Sequence, residues 1–154
     1  MFVNRILLLE LMIKALRCYV FSTLFSWSES WILKVDNIKK FESFEMWCYR
    51  RILKTLWTQR VTNAEVLRRL QNNYEVIKHI NTRKMEYLGY ITRGAKYGIL
   101  RLIMQTKIQG KRSIGRRRIS WLRNLIEWYR CCSVDLFRAA ANKVRIAVMI
   151  ANLR

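Results

Sequence analysis

The stretch DNIKKFESFEMWCYRRILKT, residues 36–55, decides the fold class, because its bulky apolar residues recur every three or four positions. That period matches one face of an α-helix. Asp36 is a suitable N-cap, so we expect a helix that ends at about Thr55. Basic residues near the C-terminal end suit the helix dipole. They also form a candidate secondary basic patch, which consists of Arg50, Arg51 and Lys54.

Similar periodicities on both sides of this segment predict further helices. Residues 4–25 are apolar almost all round, and such a helix expects burial on several sides. Thr62 and Glu65 have the spacing of a capping box, which predicts a short helix from Asn63 to about Leu70. Further helices are expected over residues 74 or 76 to 93, over 99–104, from Arg116 onward and after Ser133 as the last N-cap.

These elements together predict a mainly α-helical protein, a bundle of about six helices with short loops. Residues 29–33 are rich in serine and bulky apolar residues, which fits either one short strand or an extended connector. The 154 residues contain no proline, whereas average usage would give about seven or eight. Because proline is tolerated worst inside helices, its absence favours a helix-rich chain.

The charge of the chain indicates a polyanionic partner. There are 30 Lys and Arg residues against 10 Asp and Glu, a formal net charge of +20. Hydrophobic residues make up 52%, which excludes a disordered basic tail. A nucleic-acid backbone, RNA or DNA, would relieve the self-repulsion. An anionic membrane surface is the competing interpretation.

The sequence is expected to contain neither a membrane span nor a signal peptide. Its most apolar stretch, residues 6–27, is interrupted by Glu10, Lys14 and Arg17, and a membrane span needs about 20 apolar residues. Glu10 also spoils the apolar region of a signal peptide. We therefore expect no membrane partner and an intracellular location, in the nucleus or the cytoplasm. The oligomeric state is left open.

Little in the sequence points to catalysis. Two-metal phosphoryl chemistry needs several converging carboxylates, but the only aspartates are Asp36 and Asp135. Glu42 and Glu45 are interpreted as helix-surface residues. The four cysteines form no CxxC pair, and His79 is the only histidine, so no zinc site is expected. The sequence predicts no catalytic residue, no metal and no cofactor.

The strongest chemical signal is the basic segment, which spans residues 107–123 and contains no acid. Gly110 and Gly115 would let the backbone approach a phosphate closely, and arginine binds phosphate through a fork of donors. Nearby aromatic residues would either stack on bases or pack in the core. A solvated loop or a nuclear localisation signal is the alternative interpretation. The candidate nucleic-acid-binding residues are Lys107, Lys111, Arg112, Arg116, Arg117, Arg118 and Arg123.

Several stretches in order resemble the C-terminal region of LINE-type (non-LTR) retrotransposon endonuclease–reverse transcriptases. FEMWCYRRIL at 44–53 is similar to the family's FEMWCYRRML. Further matches are the Trp-x-Leu of residues 31–33, the segments 57–63 and 83–89, KIQGKR at 107–112, and GRRRISWL at 115–122.

The resemblance implies a position after the polymerase palm. It divides a single helical region, 1–154, into an apolar helix plus connector (1–35), thumb-like helices (36–93), and a basic loop with C-terminal helices (94–154). It implies a non-catalytic part of an RNA-directed DNA polymerase, without the endonuclease domain or the catalytic aspartates, that retains nucleic-acid binding. A helical module that packs on a palm-bearing protein, or a translated relic without function, are the alternatives.

Overall fold

A computed structural model describes residues 2–105 and 120–152, and in these ranges the chain forms helices but no strand. The mainly helical prediction is confirmed. Helix α1 (Phe2–Ala15) continues through a π-helical segment (Leu16–Phe21) into a last turn (Ser22–Leu24). The other helices are α2 (Val35–Ile52), α3 (Asn63–Leu70), α4 (Val76–Arg93), α5 (Gly98–Gln105), α6 (Trp121–Tyr129), α7 (Ser133–Ala141) and α8 (Lys143–Ala151). Short 3-10 turns occupy Ser28–Ser30, Trp57–Gln59 and Ala95–Tyr97.

The described ranges thus contain eight helices instead of about six, partly because the last predicted helix is broken at Asn142. That residue has extended backbone (φ −108°, ψ 117°), and its side chain accepts hydrogen bonds from the N–H groups of Val144 and Arg145. Such bonds satisfy donors at a helix start, so Asn142 ends α7 and caps α8. The cap of α7 is Cys132 and not Ser133, since the Cys132 thiol accepts the N–H of Asp135.

The short strand that was an option near residues 29–33 is wrong. Ser28–Ser30 forms a 3-10 turn, and the next four residues have no regular structure. The side-chain amide of Asn124 accepts the N–H of Leu33 at 2.8 Å and donates to its carbonyl at 2.9 Å. The two backbone groups that a partner strand would satisfy are therefore satisfied by one side chain.

The contacts divide the chain into two compact units. The first unit comprises Met1–Trp27 and Val35–Ile77. Its core forms where α1, α2 and α3 pack, and the apolar stripe of α2 supplies its centre. The buried members of this core are Ile13, Met46, Tyr49, Val66 and Leu70.

The second unit comprises Ser28–Lys34 and Lys78–Arg154. Its core joins α4 to the three C-terminal helices, and its buried members are Met85, Leu88, Leu125, Leu136, Ala139, Ala140 and Ile146. The single region with three segments that the sequence suggests stays a prediction. None of the described helices combines the length and the apolar character that a membrane crossing requires.

Candidate nucleic-acid interface

Most of the predicted primary site lies outside the described residues: Lys107, Lys111, Arg112, Arg116, Arg117 and Arg118. Arg123 is described, exposed in the first turn of α6, and its guanidinium donates to Glu127 at 2.8 Å. The helix start predicted at Arg116 lies outside the described residues, and the described helix α6 begins at Trp121. The Ser120 hydroxyl accepts the N–H of Arg123 at 3.2 Å and so caps the helix.

The candidate secondary patch is built by the way α2 ends. The N–H of Thr55 bonds the carbonyl of Arg50 at 3.0 Å, and the N–H of Lys54 bonds that of Arg51 at 3.2 Å. These two bonds define a Schellman motif, in which the residue after the helix takes the left-handed conformation. Lys54 occupies that position with φ 52°. Although glycine is favoured there, this chain places a lysine.

The end of α2 and the segment that follows this turn border an open cleft of about 830 Å³, here called the basic cleft. Four cations and no carboxylate line it among the described residues. Arg60, which also has a left-handed backbone (φ 47°), supplies the fourth cation. The lining residues are Trp47, Arg50, Arg51, Lys54, Thr55, Leu56, Arg60 and Val61. The structure thus brings all three predicted patch residues into one concave surface.

The predicted patch residues do not have equivalent roles. Arg50 donates to the carbonyl of Val61 at 2.9 Å and to the side-chain oxygen of Asn63 at 2.8 Å. It therefore ties the end of α2 to the segment before α3 and holds the cleft in shape. Arg51 is exposed, and its guanidinium carbon lies 5.1 Å from the centroid of the Trp47 ring.

Sequence reasoning missed Trp47 and Arg60 as members of this surface. Trp47 was assigned to the apolar stripe of α2, yet its side chain is 55% exposed. The signal available was its spacing, since Trp47 lies one helical turn before Arg51 and therefore shares a face with it. The position of Arg60 depends on the left-handed turns, which the residue types do not predict.

The aromatic residues near the basic segment pack into the second unit. Trp121 and Tyr129 are half-buried against its core. The indole N–H of Trp121 donates to the carbonyl of Glu29 at 2.6 Å. Burial raises the pKa of the Tyr129 hydroxyl. Of the two roles considered for these aromatics, the contacts favour core packing for Trp121 and Tyr129.

The motif at 44–53 has a structural explanation inside the first unit. Glu45 is fully buried, which makes the helix-surface interpretation of this residue wrong. Its carboxylate accepts the Tyr49 hydroxyl at 2.9 Å, the N–H of Glu75 at 2.7 Å and that of Val76 at 3.4 Å. It therefore satisfies donors at the start of α4 from another helix. Burial raises the pKa of Glu45, and the two backbone donors and Tyr49 partly oppose this.

A second buried polar group lies in the second unit. The Lys84 side chain is fully buried, and its ammonium donates to the Asn124 side-chain oxygen at 3.2 Å. The same nitrogen lies 5.8 Å from the centroid of a Trp121 ring. Burial lowers the pKa of Lys84 to about 8. Because Asn124 also binds Leu33, these residues form one polar cluster in an apolar core.

No group of His, Cys, Asp and Glu within the described ranges could hold a metal ion. The cysteines are free thiols: Cys18 and Cys132 are exposed, Cys131 is half-buried and Cys48 is buried. Burial raises the pKa of Cys48 and Cys131, which disfavours their reactive thiolates.

Comparisons with protein-family models, curated proteins and solved structures gave no match to this chain.

Proposed function

We propose that this chain is a non-catalytic nucleic-acid-binding module that resembles the C-terminal, thumb-side part of a LINE-type reverse transcriptase. The observation that carries the proposal is the basic cleft, where, among the residues that the structure describes, four cations and an exposed tryptophan meet without a carboxylate. Such a surface suits a phosphate backbone and binds it with little sequence preference. The formal charge of +20 supports the same partner class, RNA or DNA.

The proposal assigns phosphate contacts to Arg51, Lys54 and Arg60, because Arg50 is engaged in holding the cleft. The basic segment at 107–123 is proposed as a second contact region. Each phosphate contact adds about 0.7 to 0.9 to the slope of log affinity against log salt. Three cleft contacts would therefore contribute about 2 to 3 to that slope.

The test measures binding of the whole chain to fluorescent RNA and DNA oligonucleotides at several salt concentrations. A triple variant, Arg51→Ala with Lys54→Ala and Arg60→Ala, should flatten the slope by about 2 to 3. The matched control replaces three exposed lysines outside the cleft, Lys39, Lys40 and Lys96, and removes the same charge. If the two triple variants flatten the slope equally, the cleft has no special role and the site assignment is refuted.

The same preparation tests the other parts of the proposal. A replacement of Arg116, Arg117 and Arg118 by alanine should flatten the slope further if the basic segment contributes.

Anionic vesicles should compete poorly with oligonucleotide, whereas effective competition would favour a membrane surface. Primer extension or nicking with Mg²⁺ or Mn²⁺ should be absent. Activity that one substitution in this chain abolishes would contradict the non-catalytic proposal.

A second candidate function is packing on a palm-bearing protein. It is favoured by Leu7, Leu8 and Leu11, which are all exposed on α1. Contiguous exposed apolar surface marks interaction sites or aggregation hazards. Sedimentation of the chain alone as a stable monomer that does not bind hydrophobic dye would argue against this role.

A ratio of silent to replacement changes near one among close relatives would favour the remaining alternative, a translated relic without function.

A further inference from the structure

We propose that Trp47 is a stacking platform for an unpaired base, so that the basic cleft selects single-stranded RNA or DNA over duplex. This inference rests on the proposed nucleic-acid binding and names the form of nucleic acid that the cleft takes. It begins from a row of planar groups on one face of α2. The Phe44 and Trp47 rings are nearly parallel, 20° apart, with centroids separated by 6.3 Å, and the Arg51 guanidinium follows at 5.1 Å.

The arrangement of Phe44, Trp47 and Arg51 leaves one face of the Trp47 indole open to a ligand that can displace Arg51. Phe44 lies one turn before Trp47 and Arg51 one turn after it, so the two neighbours lie on opposite sides of the indole along the helix axis. Phe44 is half-buried, whereas Arg51 is exposed and lines the cleft. Among the described residues, the long, solvated Arg51 side chain contacts the cleft side of the ring.

A base that binds here would displace the Arg51 guanidinium from the Trp47 ring. Cations sit over aromatic rings by weak attraction at exposed sites, and base–aromatic stacking is the stronger contact. Arg51 would then leave the ring and pair with the phosphate of the stacked nucleotide, for which its fork of donors is suited. In this exchange, the side chain that covers the platform becomes a phosphate ligand.

The left-handed turn at Lys54 places a cation at the edge of the cleft. A non-glycine residue in that conformation is disfavoured. The chain offers a comparison at the end of α3, where Gln71 (φ 50°) occupies the same position of a second Schellman motif. Gln71 does not line the cleft.

Duplex nucleic acid would meet this surface poorly. In a duplex both faces of each internal base are already stacked on neighbouring bases, so the indole would reach one only after it is flipped out. An unpaired base has a free face, and every base type has one, so the preference is for single strands and not for a sequence.

The experiment compares four ligands of equal length: oligo-dT, oligo-U, a blunt duplex and an abasic strand that keeps the phosphates. Wild-type protein should bind either base-containing strand more tightly than the abasic strand by about 5- to 150-fold, the contribution of one stacked base. Trp47→Ala should lose that preference and keep the wild-type salt slope, since no charge is removed. Trp47→Phe should keep most of it. Tyr19→Ala, an exposed aromatic in the same unit but outside the cleft, should change nothing.

The two glycine variants separate charge from strain. Lys54→Gly and Gln71→Gly should both raise the urea midpoint, but only Lys54→Gly should flatten the salt slope, by about 0.7. If wild-type protein binds the abasic strand as tightly as oligo-dT and oligo-U, or Trp47→Ala keeps the preference, stacking on Trp47 is refuted while nucleic-acid binding stands. If no ligand shows salt-dependent binding, the proposed function itself fails.

Discussion

Replacing Lys84 by methionine removes the buried ammonium of the second unit and keeps an unbranched, flexible side chain. Burial lowers the pKa of Lys84 from its ordinary 10.5 to about 8. At about 1.4 kcal/mol for each pKa unit, this difference corresponds to a cost of about 3 kcal/mol. At pH 7 the ammonium is protonated in the folded and the unfolded chain, so the cost is present in full. We therefore expect Lys84→Met to be more stable than the wild type by up to about 3 kcal/mol at pH 7.

The sign of the pH dependence follows from the same values. Between pH 8 and 10.5 the unfolded chain holds a proton that the folded chain has released, so this group makes stability rise with pH. The advantage of the variant should shrink through that window and disappear above it. Burial raises the pKa of Tyr129 and Cys131, which acts in the opposite direction but equally in both proteins. The quantity to measure is therefore the difference in the free energy of unfolding between Lys84→Met and the wild type at each pH.

Urea unfolding followed by circular dichroism at pH 7, 9 and 10.5 measures this difference. Lys78→Met, which replaces an exposed lysine on the same helix, controls for the loss of one positive charge. The reasoning is refuted if Lys84→Met is less stable than the wild type at pH 7 and the difference does not change with pH. In that case the hydrogen bond to Asn124 would outweigh the cost of burial.

Two further perturbations test the packing of the two units. Glu45→Ala should cost the first unit about 3–5 kcal/mol in urea unfolding, because Tyr49 and two backbone N–H groups lose their acceptor. Glu45→Gln, which keeps an oxygen, should cost less than half as much, and equal losses would contradict the capping role. Gly89→Ala should destabilise the second unit by up to about 2 kcal/mol, because the overlap of a Cβ with Cδ1 of Ile146 and the crowding of Arg93 outweigh the helix propensity that alanine adds. Adding Ile146→Val, which removes that atom, should recover part of the loss, and simple additivity of the two changes would refute the contact.

Helices α3 and α4 were predictable from the sequence, because neighbouring residues contain the cap or the apolar period that defines them. The Thr62–Glu65 spacing predicts a helix over 63–70, and the structure places α3 at Asn63–Leu70 with the Thr62 hydroxyl accepting the Glu65 N–H at 3.3 Å. The periodic run ending at Arg93 likewise matches α4. In both cases the deciding contacts join residues within one or two helical turns, so the local sequence contains them.

Helix boundaries with competing local signals were not predictable. Ser133 and the neighbouring Cys132 can both accept a hydrogen bond at a helix start, and the structure uses Cys132. The described start of α6 depends on the Ser120 hydroxyl, which accepts the N–H of Arg123, and the prediction did not use this residue as the cap. The basic cleft shows a related limit. Arg51 lies in the last turn of α2, where the helix dipole favours a cation, whereas Lys54 and Arg60 reach the cleft through left-handed turns.

The sequence by itself determined the helical class and the strongly basic character, because helical period and charge are sums over neighbouring residues. Only the tertiary structure decided the roles of the buried polar side chains. Glu45 caps a helix 30 positions further on, Lys84 binds an amide 40 positions away, and Asn124 replaces a partner strand for a residue 91 positions away. The periodic pattern of neighbouring residues does not predict these long-range hydrogen bonds, because burial and hydrogen-bond satisfaction are fixed only when distant segments come together.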